Sequence, residues 1–324
     1  MTKVSQQSLL ARITRPQKGK RFAAAVSGGC DSVAMLLLLR HWAKINQREL
    51  CVFHVDHRLR PESGADLKWV ENLAGRLELD FYSVRATTQD LAARDQHDGT
   101  EAWARDFRYR AFARLSRQAH AEVVATGHTA DDQLETVLMR MLSGTSLQGL
   151  VGIRATRSLV VEKQSLKIWR PVLNMNRQEL EAYLCCRKQK WLTDQTNLSH
   201  DFLRNAVRHK LVPEVKKLFP GAGAKMQQLL GDIEEVQGLL SSQADSYLNE
   251  NLVNDEKELV LASLSDSLRR EVLRQWLIRL GFSREINRAF IVRLADLWQK
   301  QVRGRRVDHK NYCFYRHKTS IEFK

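Results

Sequence analysis

"AAAVSGGCDSVAM", residues 23–35, decides how the first half of this chain folds. Small apolar residues run into two glycines, then Asp31 and Ser32, then apolar residues again. A glycine pair marks a turn, and an Asp-Ser pair ahead of an apolar run marks a helix start. Together they describe a strand that turns sharply into a helix, with backbone N–H groups exposed at the turn. That is how a phosphate site is built.

Outward from that turn, short apolar segments alternate with amphipathic ones. "RFAAAV", "ELCVFHVD", "DFYSVRA" and "AEVVATGH" read as strands, and 31–44, 63–77, 101–119 and 130–142 as the helices that follow them. This alternation predicts an α/β domain with a mostly parallel sheet and helices on both faces. In such sheets ligands sit beyond the carboxyl ends of the strands. "SGGCDS" (27–32), "HVDHRLR" (54–60) and "ATGHTADD" (125–132) each follow a strand, so they should meet at that edge. Pro220, Gly221 and Gly223 in "KLFPGAGAK" (217–225) break the pattern. We therefore expect one domain over 1–218 and a smaller helical, α+β domain over 219–324. The second should hold long helices at 225–249 and 266–300 and a strand-like tail.

Bulk properties narrow the function. With 43% hydrophobic and 27% charged residues, the 324-residue chain has the composition of a globular protein. "AMLLLLRHWA" is cut short by Arg40 and His41, and the basic first 21 residues are too broken for a secretory signal, so a cytoplasmic protein without a membrane span is expected. Five cysteines, two of them adjacent at 185 and 186, do not form a disulfide framework, and no C-x-x-C occurs. The net charge is +15, and residues 284–324 alone hold 11 Lys/Arg against 4 Asp/Glu, a net +7. Such a surplus points to a polyanionic partner, nucleic acid above all.

The loop matches neither G-x-x-x-x-G-K-[ST] nor G-x-G-x-x-G, leaving S-G-G-x-D-S. Ser27 and Ser32 offer hydroxyls, Gly28 and Gly29 let backbone N–H groups approach phosphate, and Asp31 suits a magnesium ion. Cys30 fills the variable position and is not read as a nucleophile. Along a helix over 128–142, at about 100° per residue, His128, Asp132 and Glu135 fall within about 60° of one another. Leu134, Val137, Leu138 and Met141 fall opposite, toward the sheet. The acidic face is either a solvated, capped helix or a grip for a cation or amine. "EAWARDFRYRAF" (101–112) sets Glu101, Arg105 and Arg108 on one face and Trp103 and Phe107 on another, as a surface salt bridge or as site residues. "RNAVRHKLVP" (204–213) aligns Arg204, Arg208 and Leu211, with Asn205 and His209 beside them, for phosphate contact or as a solvated helix start. The H-x-x-H of "HVDHRLR" lacks further ligands for zinc, so His54, His57 and Arg60 are expected beside a nucleotide or base.

The six-residue loop resembles that of the PP-loop (N-type) ATP pyrophosphatases, which cleave ATP between the α and β phosphates and use AMP to activate an oxygen. The order of "HVDHRLR", "EAWARDFRYRAF", "ATGHTADDQLETVLMR", "RPVL" (170–173) and "DQTNLSHDFLRNAVRHKLVP" (194–213) resembles the tRNA(Ile)-lysidine synthetase branch over residues 22–213. Beyond that, only length and basic character match. The resemblance implies a ligase using ATP and Mg2+. It would join L-lysine to C2 of the wobble cytidine of CAU-anticodon tRNA(Ile) through an adenylated intermediate. It implies that Ser27, Gly28, Gly29, Cys30, Asp31 and Ser32 bind ATP, with Asp31 at the metal. Asp132 and Glu135 would hold the lysine amino groups, and His128 would lie near the activated base. It turns His57, Arg60, Arg105, Arg108, Arg204, Asn205 and Arg208 toward substrate and tRNA. Ser143 stands where many members carry arginine, and one accessory domain is expected where long members have two. Sulfur-inserting relatives need paired cysteines, amidotransferases need an ammonia source, and a non-catalytic RNA-binding module would not keep Ser27, Asp31, His128, Asp132 and Glu135.

Overall fold

The computed structural model describes residues 5–16, 18–96, 99–193, 202–253, 257–261, 264–282, 286–299, 306–309, 312–317 and 319–323. Two compact units emerge, Met1–Leu142 with Gly152–Gln227, and Ser143–Val151 with Gln228–Lys324.

The first unit opens with α1 (Gln6–Ala11), β1 (Arg21–Ala25), α2 (Cys30–Ile45), β2 (Glu49–Asp56), α3 (Ser63–Arg76) and β3 (Phe81–Arg85). It continues through α4 (Thr88–Ala92), α5 (Thr100–Ala119), β4 (Val123–Thr126) and α6 (Ala130–Leu142). After α7 (Leu147–Leu150), which belongs to the second unit, come β5 (Thr156–Val161), β6 (Gln164–Trp169), α8 (Arg177–Cys186) and α9 (Phe202–Ala206). A π-helical turn (Val207–Leu211) then leads into α10 (Val212–Leu218) and the long α11 (Ala222–Asn251). The sheet order is β3-β2-β1-β4-β6-β5, parallel throughout except for the edge strand β5, which returns from β6 as a hairpin. The mostly parallel, helix-covered sheet read from the sequence is therefore present.

β1 is the central strand because its residues are small on both faces. Phe22 and Ala24 pack with Val33, Leu36 and Trp169 in the core that includes α2, while Ala23 packs with Phe112 and Leu115 of α5. Its neighbours are β2 on one side (Ala24 beside Val52) and β4 on the other (Ala24 beside Ala125). The strand order thus reverses at β1, which makes its carboxyl end and that of β4 the topological switch point where such sheets bind ligands.

The second unit carries β7 (Leu252–Val253), β8 (Glu258–Val260), α12 (Asp266–Arg279), α13 (Arg288–Gln299), β9 (Arg306–His309), β10 (Tyr312–Arg316) and β11 (Ser320–Phe323). Its antiparallel sheet, in the order β7-β8-β11-β10-β9, closes on a core containing Leu248, Trp276, Phe290, Leu294, Phe314 and Ile321. The helix expected over 266–300 is two helices. Gly281, at φ +94°, follows Leu280, the C-cap of α12, and the N–H groups of Gly281 and Phe282 return to the carbonyls of Ile278 and Leu277. That paired closure is a Schellman cap, which ends α12. No helix of the described residues is long and apolar enough to cross a membrane.

Candidate active site

The loop Ser27–Ser32 is shaped by its own hydroxyls. The Ser27 N–H donates to Ser32 Oγ at 3.2 Å, the Ser32 hydroxyl donates to the Gly29 carbonyl at 2.9 Å, and the two serine oxygens lie 3.2 Å apart. Gly28 sits at φ +94°, and a Cβ there would come within 2.5 Å of Leu192 Cδ1, whose backbone N–H donates to the Gly28 carbonyl at 2.9 Å. Gly29 caps α2 in an extended conformation with no side-chain bond to the first turn, which leaves helix N–H groups facing outward. From the neighbouring strand end, Gly127 lies so close that a Cβ would stand 3.1 Å from the Cα and N of Ser32.

Asp31 opens α2, and burial lifts its carboxyl pKa to about 6, with Arg177 pulling it down and Asp132 and Asp131 pushing it up. Its Oδ1 is buried and accepts no hydrogen bond from the described residues. A buried carboxylate oxygen without a donor, next to hydroxyls and a helix N-terminus, fits a divalent cation that also holds phosphate oxygens. Cys30, in the same loop, is buried, and its thiol is pushed up to about 12, which rules out a thiolate nucleophile at neutral pH.

The second cluster follows β4. His128 lies two residues ahead of α6 rather than on it, with Nδ1 3.0 Å from Thr126 Oγ1. Burial, and then Arg170, push its pKa down to about 4, so the ring is neutral at pH 7. Asp132 folds back on the helix start, where its Oδ2 accepts from the Thr129 N–H at 2.8 Å and the Thr129 hydroxyl at 3.0 Å. Glu135 is only 3% exposed and does not sit on a solvated face. Leu134 and Leu138 pack against Val207 and Val212 rather than on the sheet, and Met141 is exposed. A helix-face projection could not anticipate this, because the covering segment lies some 70 residues further along the chain.

That segment supplies cations. Arg208 grips Glu135 with two bonds, Nε to Oε1 at 2.7 Å and Nη2 to Oε2 at 2.9 Å, and its Nη2 also reaches Asp132 Oδ1 at 3.2 Å. Arg204 Nε stands 3.6 Å from Glu135 Oε2, and its Nη1 stands 3.4 Å from Glu101 Oε1. Within 101–112 an i,i+4 salt bridge does form, between Asp106 and Arg110 at 3.4 Å, while Glu101 pairs across to Arg204. Asn205 is half-buried on α9, and His209 is exposed on the π-helical turn. "DQTNLSH" (194–200) and Asp201 lie outside the described residues.

The arginines of α5 divide. Arg108 keeps accessible surface yet is crowded by protein atoms, as in a recess, and this desolvation with Arg105 and Arg204 lowers its pKa. Arg105 is exposed and lies over the Tyr109 ring, 5.3 Å from its centroid. Trp103 and Phe107 are buried and stacked at 5.5 Å. His57 donates from Nε2 to the Ala104 carbonyl at 3.1 Å, with its pKa pushed down to about 4 by burial and by Arg108. His54 is buried within β2 and donates from Nδ1 to the Val26 carbonyl at 2.8 Å. Arg60 pairs with Asp66 of α3 at 2.5 Å. Asp31, His128, Asp132, Glu135, Arg204 and Arg208 therefore form one electrostatic cluster, with Arg108 beside it, while Arg60 is engaged on α3.

Two residues that face this cluster were given no role by the sequence reading. Arg177 opens α8, and its N–H donates to Asp131 Oδ2 at 2.6 Å. Arginine in the first turn of a helix opposes the helix dipole, and that misplacement was the available signal. Arg170, the first residue of "RPVL", is buried, donates from Nη1 to the Arg154 carbonyl at 2.6 Å, and has no partner for Nε among the described residues. Its burial carried no mark in the sequence.

Two family models match successive stretches of the chain. The PP-loop domain model matches residues 1–215, and the TilS substrate binding domain model matches residues 260–321. The tRNA(Ile)-lysidine synthase of Thermus thermophilus is 35% identical over 284 residues, covering 87% of this chain and 52% of that protein. The enzyme of the same name from Geobacter sulfurreducens is 35% identical over 254 residues (78% and 52%), and that from Coxiella burnetii 30% over 277 residues (85% and 60%). The chain spans about half the length of the first of these relatives. Among solved structures, the U34-tRNA thiolase NcsA from Methanococcus maripaludis shares the fold, with a TM-score of 0.59 at 18% identity over 71% of this chain and 77% of that one.

Proposed function

The chain belongs to the PP-loop family, and on that premise we propose that it ligates L-lysine to C2 of the wobble cytidine of CAU-anticodon tRNA(Ile), consuming ATP and releasing AMP and pyrophosphate. The observation that carries this reading is the pairing of two unlike seats at adjoining strand ends. One is a phosphate-shaped loop with an undersaturated carboxylate at Asp31, and the other is a carboxylate pair, Asp132 and Glu135, fit for a cationic amine. Relatives that bear the lysidine synthase name match across both units.

The chemistry follows from the seats. In the first step the cytosine O2 attacks the α-phosphorus, the bond to the bridging oxygen breaks, and pyrophosphate departs. The helix N–H groups and the Ser27 and Ser32 hydroxyls are placed for that leaving group. Asp31 is the residue that would hold Mg2+, which when bound supplies positive charge against the polyphosphate. In the second step the lysine ε-ammonium gives a proton to water, the free amine attacks C2, and the C2–O bond breaks with its electron pair leaving on AMP. A cytosine oxygen is a poor leaving group, and AMP is a good one. The Asp132 and Glu135 side chains accept N–H bonds from an ammonium and orient it. A neutral His128 adds a hydrogen-bonding ring beside the base without a charge that would repel the amine. Arg108, Arg105, Arg204, Asn205 and His57 border the path for RNA, and Arg60 lies further out along the same edge. Residues 219–324 serve as an accessory RNA-binding domain, whose basic tail gives affinity that falls steeply with salt.

The test incubates the full chain with tRNA(Ile) bearing a CAU anticodon, ATP, magnesium and labelled lysine, followed by nucleoside mass spectrometry. Label at the wobble cytidine, lost in Asp31→Ala, is the expected result. RNA-dependent release of AMP and pyrophosphate without label in the RNA would retain adenylation and reject lysine as the nucleophile.

A further inference from the structure

The seat proposed for the substrate amine is already filled by the chain's own cation. The Arg208 guanidinium satisfies both Glu135 oxygens and one of Asp132, while the other Asp132 oxygen is taken by Thr129. Each of the four acceptor oxygens thus already has a donor from the chain before any amine arrives. Glu135 is buried, so it cannot be left without a positive partner except at a cost of several kcal/mol. An incoming ammonium therefore has no unclaimed carboxylate oxygen to bind.

We infer that Arg208 competes with the substrate ammonium for Asp132 and Glu135, so that the amine enters by exchange of one cation for another. This rests on the reading of that pair as the lysine seat. The exchange preserves charge at Glu135 throughout, and it makes selection strict. A side chain of lysine's length without a charge releases Arg208 poorly, because it would leave the buried Glu135 with only the more distant Arg204 guanidinium, 3.6 Å away. The place of Arg208 in the fold suits such a movement. It stands on the π-helical turn Val207–Leu211, a widened register that recurs at functional sites. Its neighbours Val207 and Val212 stay anchored on Leu134 and Leu138, so the arginine side chain moves while the backbone remains packed. Once displaced, the guanidinium becomes available to a phosphate group, and an anion that draws it away strengthens amine binding by the same factor that the amine strengthens anion binding.

The experiment is a calorimetric titration of L-lysine into the full chain without nucleotide or RNA, with norleucine, which lacks the side-chain ammonium, as the control. Arg208→Gln should bind lysine at least about tenfold more tightly than the wild type, as expected when the competent population rises from about one in ten or less toward one. Arg208→Lys, which restores a tethered cation, should return affinity toward the wild-type value. Equal or weaker lysine binding by Arg208→Gln overturns the exchange. A second measurement needs no variant fold. In the wild type, the Nε–H resonance of Arg208, assigned by its loss in Arg208→Lys, should move on lysine addition and stay in place with norleucine. A resonance that stays fixed at saturating lysine also overturns the exchange. Glu135→Gln separates the two readings. Lysine binding unchanged by Glu135→Gln rejects the amine seat itself. Binding lost in Glu135→Gln but not tightened in Arg208→Gln keeps the seat and rejects the competition.

Discussion

The loop after β1 and the start of α6 after β4 lie at neighbouring strand ends, yet they are held in place by different means. The loop is built from within six residues, its serines bonded to one another and to its own backbone. The carboxylates of α6 are held by a guanidinium 73 residues away from Glu135. The first seat leaves Asp31 Oδ1 without a donor among the described residues, and in the second every carboxylate oxygen has one. A site for a polyanion can be preformed from backbone N–H groups, whose charges are partial and fixed. A site for a cation built on a buried carboxylate needs a counter-charge at all times, and here the chain carries one.

The largest expected effect tests whether the loop seat carries the chemistry. Asp31→Ala should reduce pyrophosphate release by about 10³-fold, comparable to loss of a principal charge-stabilising group, and it should leave lysine titration at Asp132 and Glu135 intact. Loss of both would merge the two seats into one. Next, Glu135→Ala should lower stability by about 2–3 kcal/mol in urea denaturation, less than a fully buried pair because Arg208 keeps partial access to water. A smaller loss in the Glu135→Ala, Arg208→Ala double variant than the sum of the singles would measure their coupling. On the loop side, Gly28→Ala places a side chain at φ +94° against Leu192 and should cost about 1–3 kcal/mol. Leu192→Ala should restore the steric part of that loss but not the backbone part.

The smallest effect is a pair of pH profiles with opposite sign. Asp31 has a folded pKa near 6, above its ordinary value. In chelator-treated protein its ionisation therefore weakens the fold as pH rises from the usual carboxylate range through about 6. Asp31→Asn should melt higher than wild type at pH 7.5, and the gap should close toward pH 4. His128 has a folded pKa near 4, below its ordinary value, so its contribution is lost as pH falls from about 6.5 toward 4. His128→Gln should flatten that acid limb. Melting curves at both ends of the range check the two signs together.

The same contrast explains what could be read in advance. β1, the loop and α2 form one continuous local pattern, in which small residues, glycines and a helix-opening Asp-Ser each act on the next few positions. That pattern located the switch point correctly. For Glu135 the sequence leaves a solvated face and a cation grip both open, because nothing within one helix announces the segment that covers it. Leu134 and Leu138 pointed away from it as expected, but their partners are Val207 and Val212 rather than the sheet. Arg60 is expected beside a nucleotide or base from its position after β2, and its pairing with Asp66 of α3 carries no mark in that local pattern. In the second unit the helix was drawn through Gly281 because apolar spacing resumes beyond it, although a glycine at that place was the cue for a cap.

Gly127 lets the end of β4 rest directly on the backbone of Ser32. The gap between the two strand-end loops is consequently gauged by main-chain atoms, which do not change rotamer or bend aside. A Cβ at this contact would act as a spacer, forcing the two strand-end loops apart by a few tenths of an ångström. The spacing of the two seats is thus fixed by a side chain that is missing, and on the proposed chemistry adding one would alter the alignment of the reactants without touching Asp31, Asp132 or Glu135.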